Sequence, residues 1–202
     1  MASTSRGTDQ AVSFLARILL RMFGRPQGVL GRLGGIIMAR MNRNLAGRTI
    51  ALLDVQLHDR VLEIGFGPGV GIELLSGVVS SGHVAGVDVS EEMVEQARIR
   101  NVEAIQRGKV ELRRGSVEAL PFAPEMFDKA MAINAMQVWP DAVAGLREIW
   151  RVLKPGGRVT LGFTPYAGQP RAGLTDVLTT AGFAGAQVVD IERDFCALAI
   201  KS

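Results

Sequence analysis

The sequence predicts an α/β fold, with a seven-stranded, mostly parallel sheet whose last strand is antiparallel and an N-terminal helical cap. Two observations predict this class. From residue 60 onward, short apolar runs alternate with segments of helical periodicity, which is typical of βαβ units that place helices on both faces of a parallel sheet. The last two apolar runs are joined only by Glu192-Arg193-Asp194, which suits a hairpin and is too short for a crossover helix.

Seven apolar runs are the candidate strands. Several of them are continuously apolar and rich in valine, isoleucine and phenylalanine, as expected of strands that are buried on both faces. The candidates are Arg60–Gly65, His83–Val89, Val110–Arg114, Phe127–Ile133, Gly157–Thr164, Gln187–Ile191 and Phe195–Ile200.

Capping signals define two of the intervening helices. Ser90 is predicted to cap the helix after the second strand, and Glu91 and Glu92 follow it in the first turn, where acids interact favourably with the helix dipole. Pro140 is predicted in the first turn of a later helix, which the run Lys154–Gly157 should stop.

Length and composition bound the domain organisation. The 202 residues suit one globular domain, and 48% hydrophobic with 21% charged residues exclude disorder for the bulk of the chain. A lone cysteine, Cys196, fits a reducing cytoplasm. No apolar run reaches about 18 residues, and arginines interrupt the N-terminal one, so we expect neither a membrane span nor a secretory signal.

The charge divides the chain into a cap, residues 1–50, and a domain, residues 51–202. The cap carries a formal charge of +7, and the domain carries −4. Within the cap, residues 11–23 have apolar helical periodicity with arginines on one narrow stripe, whereas Gly28–Met41 is rich in glycine. Two interpretations remain open: the cap covers one face of the sheet, or it contacts an anionic surface such as a membrane.

A glycine-rich turn is the strongest functional signal. An apolar strand leads into Gly65, Gly67 and Gly69, and the following helix presents its N-terminal N–H groups at that turn. The spacing G-x-G-x-G differs from the G-x-G-x-x-G of dinucleotide sites. Asp88 ends the second strand, where a carboxylate can accept both hydroxyls of an adenosine ribose. Because Ser90 already serves as helix cap, we favour that role for Asp88 over capping.

Four motifs appear in the order Glu63–Gly69, Asp88, Gly115–Phe122 with Phe127-Asp128 after it, and Leu146–Arg158. In this order they resemble class I S-adenosylmethionine-dependent methyltransferases, and most of all the branch of ubiquinone/menaquinone-biosynthesis C-methyltransferases and small-molecule methyltransferases. The resemblance covers residues 58–202 and implies a Rossmann-like fold with S-adenosylmethionine as cofactor.

The resemblance also implies which residues bind the cofactor. The glycine turn would hold its methionine part, Glu63 would lie near its amino group, and Asp88 would take the ribose. Val89 and Met93 would line the adenine, and Ser116 and Val117 would meet its edge. Ser116 stands where the family commonly has an acid. Asn134 and Ala135 would lie between cofactor and substrate, and the run Lys154–Gly157 would lie at the opposite edge of the sheet, away from the ligand. The full set is Glu63, Gly65, Phe66, Gly67, Gly69, Asp88, Val89, Met93, Ser116, Val117, Asn134 and Ala135.

The sequence offers no acid–base pair at the expected site. Ligands of open parallel sheets bind beyond the carboxyl ends of the strands, whereas His58 and His83 lie at the beginnings of strands. No acidic or histidine cluster has metal-ligand spacing, so no metal is expected. Methyl transfer can proceed by proximity, because placing the reactants in line supplies much of the barrier reduction. The residues predicted to orient the acceptor are Tyr166, Asn134, Gln137 and Trp139.

We therefore expect methylation of a small molecule that is hydrophobic, anionic or both, enclosed by the cap because the connection Pro165–Pro170 is short. A non-catalytic protein that binds S-adenosylmethionine or S-adenosylhomocysteine is the alternative, since Ser116 departs from the family pattern. RNA is disfavoured as a substrate because the arginines of the cap are accompanied only by Phe14 and Phe23 as aromatics. The glycine spacing disfavours a nicotinamide-dependent oxidoreductase. The sequence leaves a homo-oligomer open.

Overall fold

The computed structural model describes residues 42–202. The predictions for residues 11–23 and for Gly28–Met41 lie outside the described residues. The helices are α1 (residues 42–53), α2 (Val70–Val78), α3 (Glu91–Arg100), α4 (Val102–Gln106), α5 (Ala142–Val152) and α6 (Leu174–Thr180). The strands are β1 (Arg60–Ile64), β2 (His83–Asp88), β3 (Val110–Arg114), β4 (Phe127–Ile133), β5 (Leu153–Phe163), β6 (Ala184–Ile191) and β7 (Asp194–Ile200).

The seven strands form one sheet in the order β3-β2-β1-β4-β5-β7-β6. Strand β7 is antiparallel to both of its neighbours, and the pairs from β3 to β5 are parallel, which confirms the predicted seven-stranded, mostly parallel sheet with an antiparallel last strand. The strand order reverses between β1 and β4, so a crevice opens there beyond their carboxyl ends. In open α/β sheets this switch point is where ligands bind.

Hydrophobic side chains fill both faces of the sheet. On one face Leu146 and Ile149 of α5 pack with Phe127 and Leu161, which point from the strands. On the other face the helices α1, α2 and α3 pack against β1, β2 and β4. Helix α1 is anchored there by Leu45, Ala46, Ile50 and Leu53, all of which are buried. Within residues 42–202, no helix is long and apolar enough to cross a bilayer.

The predicted cap of α3 is confirmed, because the Ser90 hydroxyl accepts the Met93 N–H at 3.4 Å. The predicted start of α5 is wrong. Asp141 caps that helix by accepting the Ala144 N–H at 3.0 Å, so Pro140 lies before the helix rather than in its first turn.

The predicted stop of α5 at Lys154 is also wrong, as is the predicted start of β5 at Gly157. The helix ends at Val152, and β5 begins directly at Leu153, which pairs with Phe127 before a register shift. The buried Leu153 side chain thus belongs to the strand and not to the apolar stripe of the helix. Strand β6 likewise begins earlier than predicted, at Ala184, ahead of an irregularity in its pairing with β7.

Candidate cofactor site and active site

The glycine turn joins β1 to α2 at the switch point. Gly65, Gly67 and Gly69 all have positive φ angles, of 68°, 53° and 81°, which side chains other than glycine rarely adopt. Space is also restricted, because a Cβ at Gly69 would lie 2.7 Å from the Cβ of Ala97 and from Nδ2 of Asn101. Both the backbone conformation and the packing therefore require glycine at the last of these positions.

Asp88 connects the glycine turn to the start of α3. Its Oδ2 atom accepts the Gly67 N–H at 2.9 Å, and its Oδ1 atom accepts the Ser90 N–H at 2.8 Å. Burial raises the pKa of the Asp88 carboxyl, while these backbone N–H groups oppose that shift. Each carboxylate oxygen can accept more than one hydrogen bond, so the two backbone contacts leave acceptor capacity for a ligand.

Glu63 is the buried acid of β1, and one of its oxygens lacks a partner. Its carboxylate lies against α2, so that a Cβ at Gly71 would overlap it. Burial raises the pKa of Glu63 well above its usual value, the nearby Asp88 raises it further, and the Ile72 N–H opposes the shift. The Oε2 atom is buried without a hydrogen bond. A buried carboxylate oxygen without a partner favours a cationic ligand group beside it.

One pocket brings several predicted residues together. It is lined by Glu63, by the glycine turn with Phe66, and by Asn134 after β4, and it is partly open to solvent. Helix α1 contributes Asn42 and Ala46 to the lining of this pocket. Asn42, the first described residue, therefore lies at this pocket.

The amide of Asn134 is held by neighbours from two elements. Its Oδ1 atom accepts the Thr164 N–H at 2.9 Å and the Thr164 hydroxyl at 3.3 Å, and its Nδ2 atom donates to Oδ1 of Asn42 at 2.9 Å. The Asn134 carbonyl accepts Nε2 of Gln137 at 2.6 Å. The Oε1 atom of Gln137 is buried and has no partner, so it is the free acceptor of this loop.

The remaining predicted residues differ in their exposure. Val89 and Tyr166 are exposed at the carboxyl edge, with Tyr166 83% exposed. Ser116 holds the turn after β3 by accepting the Glu118 N–H at 3.3 Å. Met93, Val117 and Ala135 are buried, and Trp139 is partly buried and packs against the core. The structure therefore groups the residues predicted for the methionine end in one pocket.

Two residues that support the glycine turn escaped the sequence analysis. Asn101, directly after α3, donates from Nδ2 to the Gly69 carbonyl at 3.1 Å, and Arg100 donates from Nε to the Pro68 carbonyl at 2.9 Å. No local pattern could identify them, because each partner lies 32 residues away along the chain. Asn42 was missed for the same reason.

The opposite edge of the sheet holds the motif that was predicted to lie away from the ligand. Lys154 pairs with Asp128, with 2.7 Å between Nζ and Oδ1, at the amino ends of β4 and β5. His83 begins β2 and lies 3.9 Å from a carboxylate oxygen of Glu111, and burial lowers its pKa. No group of three histidine, cysteine, aspartate or glutamate residues within residues 42–202 is arranged to hold a metal ion.

Comparisons with known proteins agree with this geometry. A family described as a methyltransferase domain matches residues 62–161. The uncharacterized methyltransferase YdaC of Bacillus subtilis is 35% identical over 133 residues, which is 66% of this chain and 71% of YdaC. The ubiquinone/menaquinone biosynthesis C-methyltransferase UbiE of Geotalea daltonii is 34% identical over 52% of this chain and 45% of its own length. The chain thus spans about half the length of that relative.

Solved structures agree at the level of the fold. The crystal structure of an S-adenosylmethionine-dependent methyltransferase from Aquifex aeolicus superposes with a TM-score of 0.72 at 20% identity, covering 80% of this chain and 93% of that one. The fold is therefore the Rossmann-like fold of class I methyltransferases. The chain belongs to the S-adenosylmethionine-dependent methyltransferase family, and S-adenosylmethionine is its cofactor.

Proposed function

We propose that this enzyme methylates a small molecule that is hydrophobic, anionic or both, with the cofactor held in the pocket between the glycine turn and α1. The observation that carries the placement of the cofactor is the buried, unpartnered Oε2 atom of Glu63, a residue that lines that pocket. The cofactor has a cationic amino group on its methionine part, and a carboxylate that is already shielded from water would recognise it strongly. The residues present therefore fit the cofactor.

The other cofactor contacts follow from the positions of the remaining residues. Asp88 would accept the ribose hydroxyls, since it lies at the end of β2 and keeps acceptor capacity. Val89 would pack against the adenine, because its side chain is 66% exposed beside Asp88. Met93 would support the adenine from within α3, and Ser116 would present its hydroxyl to the edge of the ring.

The chain contributes placement rather than acid–base chemistry. When bound, the cofactor would supply an electrophilic methyl group on its sulfonium. Asn134 forms the wall beside the cofactor, Gln137 offers its free Oε1 atom, and Tyr166 covers the acceptor from the end of β5. Fixing the two reactants in line replaces an encounter in solution, which accounts for much of the rate gain.

The surroundings of the site favour a hydrophobic or anionic acceptor. Val138 and Tyr166 are both exposed at the carboxyl edge, 58% and 83% respectively, and offer apolar and aromatic contacts. Asn42, the first described residue, lines the pocket, and the sequence before it combines arginines with apolar residues. We propose that this segment encloses the acceptor.

Transfer of a labelled methyl group tests the proposal directly. Purified enzyme and cofactor with a radiolabelled methyl group are incubated with a cell extract, which is then separated into small molecules, RNA and protein. We expect the label in the small-molecule fraction. Label in RNA would contradict the proposed acceptor class, and binding of the cofactor without any transfer would indicate the non-catalytic alternative.

Two substitutions and one deletion test the acceptor site in the same assay. We expect Tyr166→Phe and Gln137→Ala to lower turnover while the affinity for S-adenosylhomocysteine stays within about twofold of the parent. Deletion of residues 1–41 should spare cofactor binding and abolish turnover, since the buried Leu45 and the rest of α1 are retained. Unchanged turnover in all three would remove these residues and this segment from the acceptor site.

A further inference from the structure

The first described residue of α1 is joined to the end of β4 across the pocket. Oδ1 of Asn42 accepts Nδ2 of Asn134 at 2.9 Å, although the two residues are 92 positions apart in the chain. Both residues line the pocket that contains the unpartnered oxygen of Glu63. The contact therefore joins the wall formed by α1 to the wall formed by the sheet.

Chemistry fixes the direction of this hydrogen bond. The Thr164 backbone N–H can only donate, so the atom of the Asn134 amide that faces it must be the oxygen. The Asn134 NH₂ group must then face Asn42, which accepts through its own oxygen. Asn134 also has a φ of 47°, an uncommon conformation outside glycine, and its N–H donates to the Gly162 carbonyl at 2.9 Å. Thr164 and the backbone thus fix the orientation of Asn134 independently of Asn42.

We propose that Asn42 is a positioning residue for the cofactor pocket. It acts through Asn134, holding the start of α1 against the carboxyl edge of the sheet so that both pocket walls keep their spacing when the cofactor binds. This inference rests on the proposed function, which places the cofactor in this pocket.

Helix α1 has other anchors, so the role of Asn42 is local. Leu45 and Leu53 are buried against the sheet, and the Thr49 hydroxyl lies 3.7 Å from the sulfur of Cys196. The adjacent Arg43 reaches Glu73 of α2 at 3.3 Å, but both side chains of this ion pair are substantially exposed, so it holds the first turn weakly. Loss of the Asn42 amide should leave the helix folded and release only its first turn.

Calorimetric titration of the full chain with S-adenosylhomocysteine tests the inference. Asn42→Ala should weaken binding by roughly 2- to 10-fold, the range expected for one neutral hydrogen bond. Asn44→Ala is the matched control, because it removes the same amide from an exposed position on the same helix and should leave the affinity unchanged. The melting temperatures of both variants should stay close to that of the parent.

A double-mutant cycle with Asn134→Ala distinguishes positioning from a general weakening of the fold. If Asn42 acts through Asn134, adding Asn42→Ala to Asn134→Ala should weaken binding no further. Parent-like affinity in Asn42→Ala, or the same loss in both backgrounds, would overturn the inference. Absence of binding by the parent itself would instead contradict the proposed cofactor site.

Discussion

Acidic residues at the two edges of the sheet have pKa values that are shifted in opposite directions. At the carboxyl edge, burial raises the pKa values of Glu63 and Asp88, and one oxygen of Glu63 has no partner. At the amino edge, both oxygens of Asp128 are engaged, one by the Lys154 ammonium at 2.7 Å and the other by the Arg60 N–H at 2.9 Å. Burial alone would raise the pKa of Asp128, but these donors outweigh burial and lower it.

This difference distinguishes a ligand-binding site from a structural ion pair. A buried carboxylate that lacks a partner costs folding free energy, and a protein keeps it where a ligand later supplies the missing contact. Asp128 lacks no partner, because both of its partners come from the chain itself. Changes at the carboxyl edge should therefore alter ligand affinity most, and changes at the amino edge should alter stability alone.

The largest effect is expected for Asp88→Ala. The substitution removes the acceptor of the Gly67 and Ser90 N–H groups as well as the proposed ribose contact. Affinity for S-adenosylhomocysteine should fall by roughly 100-fold or more, because hydrogen bonds to a charged group contribute about 1.5–3 kcal/mol each. Calorimetry measures this loss, and Asp176→Ala, an exposed acid of α6, is the control. An affinity like that of the parent would contradict the assignment of the carboxyl edge as the ligand-binding edge.

Glu63→Gln should weaken ligand binding less than Asp88→Ala does, and it should increase the stability of the ligand-free protein. Affinity for S-adenosylhomocysteine should fall by about 10-fold, because a neutral acceptor replaces a charged one opposite the amino group. The ligand-free variant should be more stable than the parent at neutral pH, because the cost of burying the charge is removed. Glu95→Gln, exposed on α3, is the control.

The pH dependence of this stability difference has a definite sign. The folded-state pKa of Glu63 lies above its usual value of 4.5, so the folded parent binds this proton more tightly than the unfolded chain does. The stability of the parent relative to Glu63→Gln should therefore fall as pH rises from 4.5 through the raised pKa, and then level off. Denaturant unfolding at several pH values measures it, and a difference independent of pH would contradict the assignment.

The smallest effect is expected for Lys154→Ala at the amino edge. Because the Lys154 side chain is 41% exposed, solvent screens its pairing with Asp128, and the unfolding free energy should fall by about 1 kcal/mol or less. The lowered pKa of Asp128 means that this contribution is present at neutral pH and is lost as pH falls below the usual value of 3.8. Ligand affinity should not change, and a change beyond about twofold would show that the edges are coupled.

Much of the fold and part of the site follow from local sequence signals. Continuous apolar runs locate the strands, and the short link Glu192-Arg193-Asp194 fixes the antiparallel hairpin. The start of α5 was misplaced because Asp141, next to Pro140, was not recognised as the stronger capping signal. The end of α5 was misplaced because Leu153 suits a buried helix and a buried strand equally well, and only its pairing with Phe127 decides between them.

The sequence by itself determined the order of strands and helices, the glycine turn and the class of cofactor, because these depend on residues that are close together or on motifs in a set order. Tertiary structure alone decided that Glu63 keeps an unpartnered oxygen, that Asn101 and Arg100 support the turn, and that Asn42 meets Asn134. Those contacts arise where parallel strands bring distant segments to one edge, and no local pattern encodes the side chains that meet there.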